Sequence, residues 1–187
     1  GLSAAALAPL AELGIPCGGW HPVMTFRGGP EDARGLSEAW VAVEGEGPAA
    51  EELDALAETL GLRSVRVAAD RKARYHAALV LASNGRVALD AVARRLLEEA
   101  GIDAGTAGEL LAPLVARTDA NLRGGPGRAL TGPVARGDAR TVRAQVAALA
   151  DRPALLALYR AIGTALLDLV PLDARTEGHA EVARLIQ

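Results

Sequence analysis

His21 and Pro22 follow a short apolar run, Ile15 to Gly19. Proline confines the residue before it to extended backbone, so His21 stands outside any helix. A histidine ending a strand points into the crevice where open α/β sheets bind ligands. An imidazole there can donate a proton to a carbonyl or hydroxyl oxygen, or take one from it. The same tripeptide also suits a histidine that only bonds the backbone of a turn. Lys72, His76, Ser83 and Asn84 form a second group. On a continuous helix Lys72 and His76 are one turn apart, and Ser83 returns to nearly the same face, with Asn84 roughly 100° further round. A cation, an imidazole and a hydroxyl on one stripe suit a substrate bearing a carbonyl and a carboxylate. Lysine fits that task because burial lowers its pKa, whereas arginine stays charged. The competing reading puts Lys72 on a solvated first turn, while the Ala77 to Leu81 run after His76 reads as buried.

Thr131 and Arg136 make a third group, in a glycine-bounded loop before a helix start. Such a loop can hold a carboxylate or phosphate. It equally suits a rigid connector in which Arg136 pairs with Asp138. Asn121, close to Gly124, reads as a helix C-cap.

The elements that must position these groups follow from pattern. Ser3 caps a helix through about Leu13, stopped by Gly14. Ile15 to Gly19, Trp40 to Val43 and Arg63 to Ala68 read as strands, with a glycine-rich loop from Arg27 to Gly35. A helix opens at Pro48, with Glu51 and Glu52 in its first turn, and ends at Gly61. The order helix-strand-strand-helix-strand predicts part of a mostly parallel sheet. From Asp70 the strand signals cease. Asp70 is expected to cap a helix running to Ala100 and weakened at Gly85. Thr106 and Glu109 are spaced as a capping box for a helix to Arg123. The 124–137 segment reads as irregular. Helices follow over Asp138–Ala150, Asp151–Val170 and Thr176–Ile186. The expected domains are 1–69 and 70–187. The strand–glycine turn–helix that opens a dinucleotide-binding fold is missing from this sequence, which reads as lacking that half.

Composition narrows the function classes. Lys72 is the only lysine among 20 basic residues, and the rare residue types cluster around His21 and Lys72. With a net charge of −3 and pI near 5.7, the chain lacks the basic surface a nucleic-acid binder needs. It has no metal-ligand spacing. Cys17 is the single cysteine, so a reducing cytoplasm is the expected compartment. The most apolar stretch, Leu155 to Leu172, contains Arg160 and Asp168 and reads as a buried helix, not a membrane span.

Several motifs together resemble the family called domain of unknown function 2520, Rossmann-like oxidoreductases. They are Ser3-x-x-x-Leu7-x-Pro9-Leu10, His21-Pro22-x-x-Thr25-Phe26, Lys72-x-x-Tyr75-His76-Ala77-Ala78, Ala82-Ser83-Asn84, Pro113-Leu114 with Thr118 and Asn121, and Ala129-Leu130-Thr131-Gly132-Pro133 with Arg136-Gly137-Asp138. The resemblance implies the carboxyl-terminal part of a Rossmann-type domain, followed by an all-helical domain like that of 6-phosphogluconate dehydrogenase. It also implies NADP or NAD as cofactor and a homodimer formed through the helical domain. His21-Pro22 looks like the His-Pro of prephenate dehydrogenases, whose histidine meets the substrate hydroxyl. Lys72 is placed like the helix lysine of hydroxyacid dehydrogenases and ketopantoate reductases, although His76 stands where those enzymes carry asparagine. The resulting expectation is an NAD(P)-dependent oxidoreductase that reduces or oxidises a small carbonyl or hydroxy acid at the interdomain cleft. Lys72, His76 and His21 would be catalytic, Ser83, Asn84, Thr131 and Arg136 would hold substrate, and Pro22 and Thr25 would meet the cofactor. The alternative expectation is a non-catalytic binding or dimerisation module.

Overall fold

The computed structural model describes residues 3–187, apart from the side chain of Glu38. Contacts divide the chain into two compact units, Gly1–Ala100 and Gly101–Gln187. The first carries the sheet and several helices; the second is all-helical among the described residues. An α/β part followed by an all-α part is therefore present. The units part at 100/101 and not at the expected 69/70, because the helix starting at Lys72 is tied to the sheet by the side-chain contacts described below.

The first unit holds three strands, β1 (Gly19–Pro22), β2 (Trp40–Glu44) and β3 (Arg63–Arg66), in that spatial order. β2 and β3 are parallel, but β1 runs antiparallel to β2, so the sheet is mixed where a mostly parallel one was expected. β1 also begins four residues later than the apolar run suggests. The pairing sets His21 opposite Ala42 and Gly19 opposite Glu44. One face therefore carries Gly19, His21, Ala42 and Glu44, and the other carries Trp20, Val41 and Val43.

Helix α1 (Gly47–Thr59) covers the apolar face. Its Ala50 and Ala57 join Val41, Val43 and Leu62 in one core, with Trp20 and Leu53 packed at the side. The Trp20 indole donates to the Leu53 carbonyl at 3.2 Å, anchoring β1 to α1. Gly61, with φ of 71°, lets the chain leave α1 and turn into β3. Ser3 does accept a backbone bond from Ala5, but it opens a 3-10 turn (Ala4–Leu7) and a short helix (Ala8–Ala11) instead of one helix to Leu13. The 27–35 loop likewise contains a short helix, Glu31–Gly35.

The expected long helix from Asp70 is two helices, α2 (Lys72–Ala82) and α3 (Asn84–Glu99), entered through a 3-10 turn at Ala69–Arg71 without a side-chain cap. The break falls at Ser83 (φ −111°, ψ −75°), whose hydroxyl donates to the Leu79 carbonyl at 2.8 Å. Such back-bonding competes with the helical ladder and bends it. Gly85, two residues on, lies inside the first turn of α3. Ala77, Ala78, Val80 and Leu81 are exposed, so the run after His76 is not a buried stripe.

In the second unit α4 (Ala104–Leu122) is capped by Asp103, which accepts from the amides of Gly105 and Thr106 at 3.1 Å each. The Thr106–Glu109 spacing is therefore not the helix start: a carboxylate lies nearer the positive helix end and takes the role. The 124–137 segment contains two helical turns, Pro126–Ala129 and Gly132–Ala135. Helices α5 (Ala139–Ala148), α6 (Pro153–Asp168) and α7 (Glu177–Ile186) follow. Val134, Val142, Leu167, Val170, Val182 and Ile186 form the core. Only Gly163 and Leu167 of α6 are buried, so this helix is amphipathic, not buried all round. Among the described residues no helix is long and apolar enough to cross a membrane.

Candidate functional site

Gly19 and His21 project from one face of β1, while Lys72 and Tyr75 lie three apart on one face of α2. The two spacings match. Lys72 reaches the place in front of Gly19, where its Nζ is 3.2 Å from Oε2 of Glu44 on the neighbouring strand. Tyr75 reaches His21, with its hydroxyl 2.8 Å from Nδ1 and the rings edge-on at 5.9 Å.

The Lys72–Glu44 pair is closed to solvent, with side chains 8% and 1% exposed. Oε1 of Glu44 also accepts from the Ser3 hydroxyl and, at 3.0 Å, from the Ala4 amide. Burial works to raise the Glu44 carboxyl. The Ser3 hydroxyl, Lys72 and the Ala4 amide outweigh it and hold the group below its ordinary value, so it is a carboxylate. The lysine is therefore locked to a carboxylate and does not open on the cleft.

That cleft, of about 430 Å³, lies within the first unit. It is lined by His21, by Val23 to Phe26 after β1, and by His76, Leu79, Val80, Ala82, Ser83 and Asn84 from α2 and its break. Its size is that of a site for a small organic molecule. Among the described residues no lysine, arginine, aspartate or glutamate lines it. Burial, followed by the nearby Lys72 and His76, lowers the pKa of His21, so its ring is neutral near pH 7. Burial raises that of Tyr75, which remains a phenol. The His21 and His76 ring centres are 6.4 Å apart.

Of the residues singled out from sequence, His21, Thr25, His76, Ser83 and Asn84 are brought to this cleft. Lys72 is placed behind it, and Pro22 is paired in β1 opposite Val41, outside the lining. His21 does not reach a crevice at the carboxyl ends of parallel strands. Because β1 is antiparallel, its end lies toward the amino ends of β2 and β3, and the carboxyl end of β2 carries the buried ion pair. Ser83 and Asn84 reach the cleft through the break after α2, not along one continuous stripe.

Thr131 and Arg136 belong to the second unit. Thr131 lines a separate small groove with Pro133, Gln145 and Tyr159, and Arg136 is exposed. Asp138 caps α5 through the Thr141 amide and hydroxyl, the first causes of its lowered pKa, to which Arg136 adds at longer range.

Sequence reading missed two partners, Glu44 and Tyr75. Tyr75 stood inside a quoted motif without a role. Glu44 had one available signal: an acidic residue closing an otherwise apolar strand, in a chain with a single lysine to answer it.

No curated protein matches the chain. Among solved structures it is similar to protein TM1727 from Thermotoga maritima, with a TM-score of 0.72 and 25% identity over 85% of this chain and 63% of that one. It is also similar to the putative NADP oxidoreductase BF3122 from Bacteroides fragilis, with a TM-score of 0.64 and 25% identity over 81% of this chain and 57% of that one. The chain thus spans less than two thirds of either structure. Residues 39–166, more than half of the sequence, match the family described as Domain of unknown function (DUF2520), and the chain belongs to that family.

Proposed function

We propose that this chain is the substrate-handling part of an NAD(P)-dependent oxidoreductase acting on a small carbonyl or hydroxy compound. The observation that carries the reading is the convergence of His21, His76, Ser83 and Asn84 on one cleft whose described lining carries no lysine, arginine or carboxylate side chain. Similarity to an NADP oxidoreductase supports the redox class. Bound there, the nicotinamide would supply or accept a hydride. The cleft suits the reacting end of such a cofactor more than a whole dinucleotide, since its described lining has no lysine or arginine to balance the diphosphate. Thr25 is the candidate contact for that end, with Pro22 shaping the turn behind it.

His21 holds the reacting oxygen of the substrate, and His76 gives that oxygen its proton in reduction, or takes it in oxidation, and exchanges it with solvent. Ser83 and Asn84 offer a hydroxyl and an amide to a neighbouring polar group. Lys72 acts through the field it exerts on His21 and not as the proton donor. The chain is further proposed to work as a homodimer, a reading supported by apolar side chains left exposed on α2 and α3.

The test is NADPH oxidation by the full-length protein with a panel of small aldehydes, ketones and 2-oxo acids. His21→Ala is expected to lower turnover by about 10²-fold or more while the fold is retained. Unchanged turnover in that variant, or no NADPH binding by the full-length protein, would sink the proposal.

A further inference from the structure

We infer that Tyr75 is a positioning residue that fixes His21 as the tautomer carrying its proton on Nε2, so that the imidazole meets a ligand oxygen in the cleft as a hydrogen-bond donor. This deepens the oxidoreductase reading and rests on it for the identity of that oxygen. The bond between Tyr75 and Nδ1 is 2.8 Å long. A phenol is a stronger acid than a neutral imidazole N–H, and an imidazole nitrogen is a better acceptor than a phenol oxygen. The bond therefore runs from the hydroxyl to Nδ1, and the ring proton is left on Nε2.

Nε2 has no hydrogen-bond partner among the described residues, although His21 lines the cleft and Tyr75 does not. Tyr75 thus takes one nitrogen of the ring and leaves the other to a ligand. Besides Tyr75, Lys72 and His76 are the charged or titratable side chains that act on His21 among the described residues. Across the sheet it meets only Ala42. A cation behind the ring disfavours a second proton on it. The Lys72 ammonium also stands 5.7 Å from the centre of the Tyr75 ring, over its π face, and Glu44 holds the lysine there. Ser3, Glu44, Lys72, Tyr75 and His21 thus form one line of contacts along the face of the sheet that carries Glu44 and His21, ending at the cleft.

A neutral imidazole donor suits an oxygen that gains negative charge during reaction. It turns an N–H toward the growing charge, where the other neutral tautomer would present a lone pair.

The full-length protein, labelled with ¹⁵N-histidine, tests this by two-bond proton–nitrogen correlation spectra at pH 7.5. The chain has three histidines, and loss of one signal set in His21→Gln assigns the one of interest. The expected result is an Nε2–H tautomer for His21 in the parent protein. Tyr75→Phe, which keeps the ring and removes the hydroxyl, is expected to give a mixture of both tautomers. An Nδ1–H tautomer or a charged ring in the parent protein overturns the inference, even if Tyr75→Phe does not fold. An unchanged Nε2–H tautomer in folded Tyr75→Phe overturns it as well. The spectra need neither cofactor nor substrate, so their failure is separate from failure of the oxidoreductase reading, which NADPH turnover decides.

Discussion

Removing either partner of the Lys72–Glu44 pair leaves the other buried with its charge uncompensated. Lys72→Met is therefore expected to cost about 3–5 kcal/mol in urea unfolding, and adding Glu44→Gln to recover part of that loss. A single-variant cost under about 1 kcal/mol would show that the pair is not closed to water. Acid should loosen the same region. His21 and Glu44 both have folded pKa values below their ordinary 6.5 and 4.5, so the unfolded chain binds more protons in those windows. Stability is full above each ordinary value and falls as the pH drops through the folded one. Unfolding midpoints measured from pH 8 to pH 3 should show two declines, and His21→Gln should flatten the upper one. A midpoint that rises on acidification would contradict both assignments. His21, His76, Ser83 and Asn84 were legible in the sequence because imidazoles and small polar groups are scarce there and clustered. The burial of Lys72 was not, because a first-turn lysine looks the same in sequence whether or not an earlier strand offers it a carboxylate.

Where elements meet, the two glycines 137 and 178 decide how closely α7 approaches the turn before α5. A Cβ on Gly178 would lie 2.3 Å from the Gly137 carbonyl oxygen, which no side-chain motion relieves. Gly178→Ala should thus lower stability by about 1–3 kcal/mol in thermal or urea unfolding. Gly85→Ala is the contrast. Its Cβ would meet only the Val80 carbonyl at 3.6 Å, and the residue is helical, so the change should stabilise by a few tenths to about 1 kcal/mol. Equal effects of the two substitutions would refute this reading of the packing. His179 beside them is 5% exposed and fully engaged: the Thr176 amide and hydroxyl meet its Nδ1, and Nε2 donates to the Ala135 carbonyl. Thr176 and Asp138 were readable as helix starts because capping is local chemistry. The direction of β1 and the break at Ser83 were not, since strand direction depends on which neighbour is paired, and Ser83 bends the helix through one hydroxyl that could equally have faced water.

Taken as a whole, the chain leaves apolar surface uncovered in its first unit. Leu81 is 74% and Val87 71% exposed, and α3 buries none of its residues. Such a surface is characteristic of an interface. In sedimentation of the full-length protein the proposed homodimer should give twice the chain mass, and Leu81→Glu with Val87→Glu should return it to one. A parent protein that sediments as a monomer would refute the dimer. The split of the chain at 100/101 was hidden from sequence because α2 and α3 look like a helical domain's first members, while α2 is tied back to the sheet and α3 packs on α2. The lone lysine has one more consequence. An amine-directed reagent such as an acetylating ester finds no open side-chain amine in the native chain, because the only one is held against Glu44. Acetylation at Lys72, read by mass spectrometry, is then a clock for the opening of β1, β2 and α2. It should be slow in the parent protein and accelerate when Glu44 is replaced by glutamine.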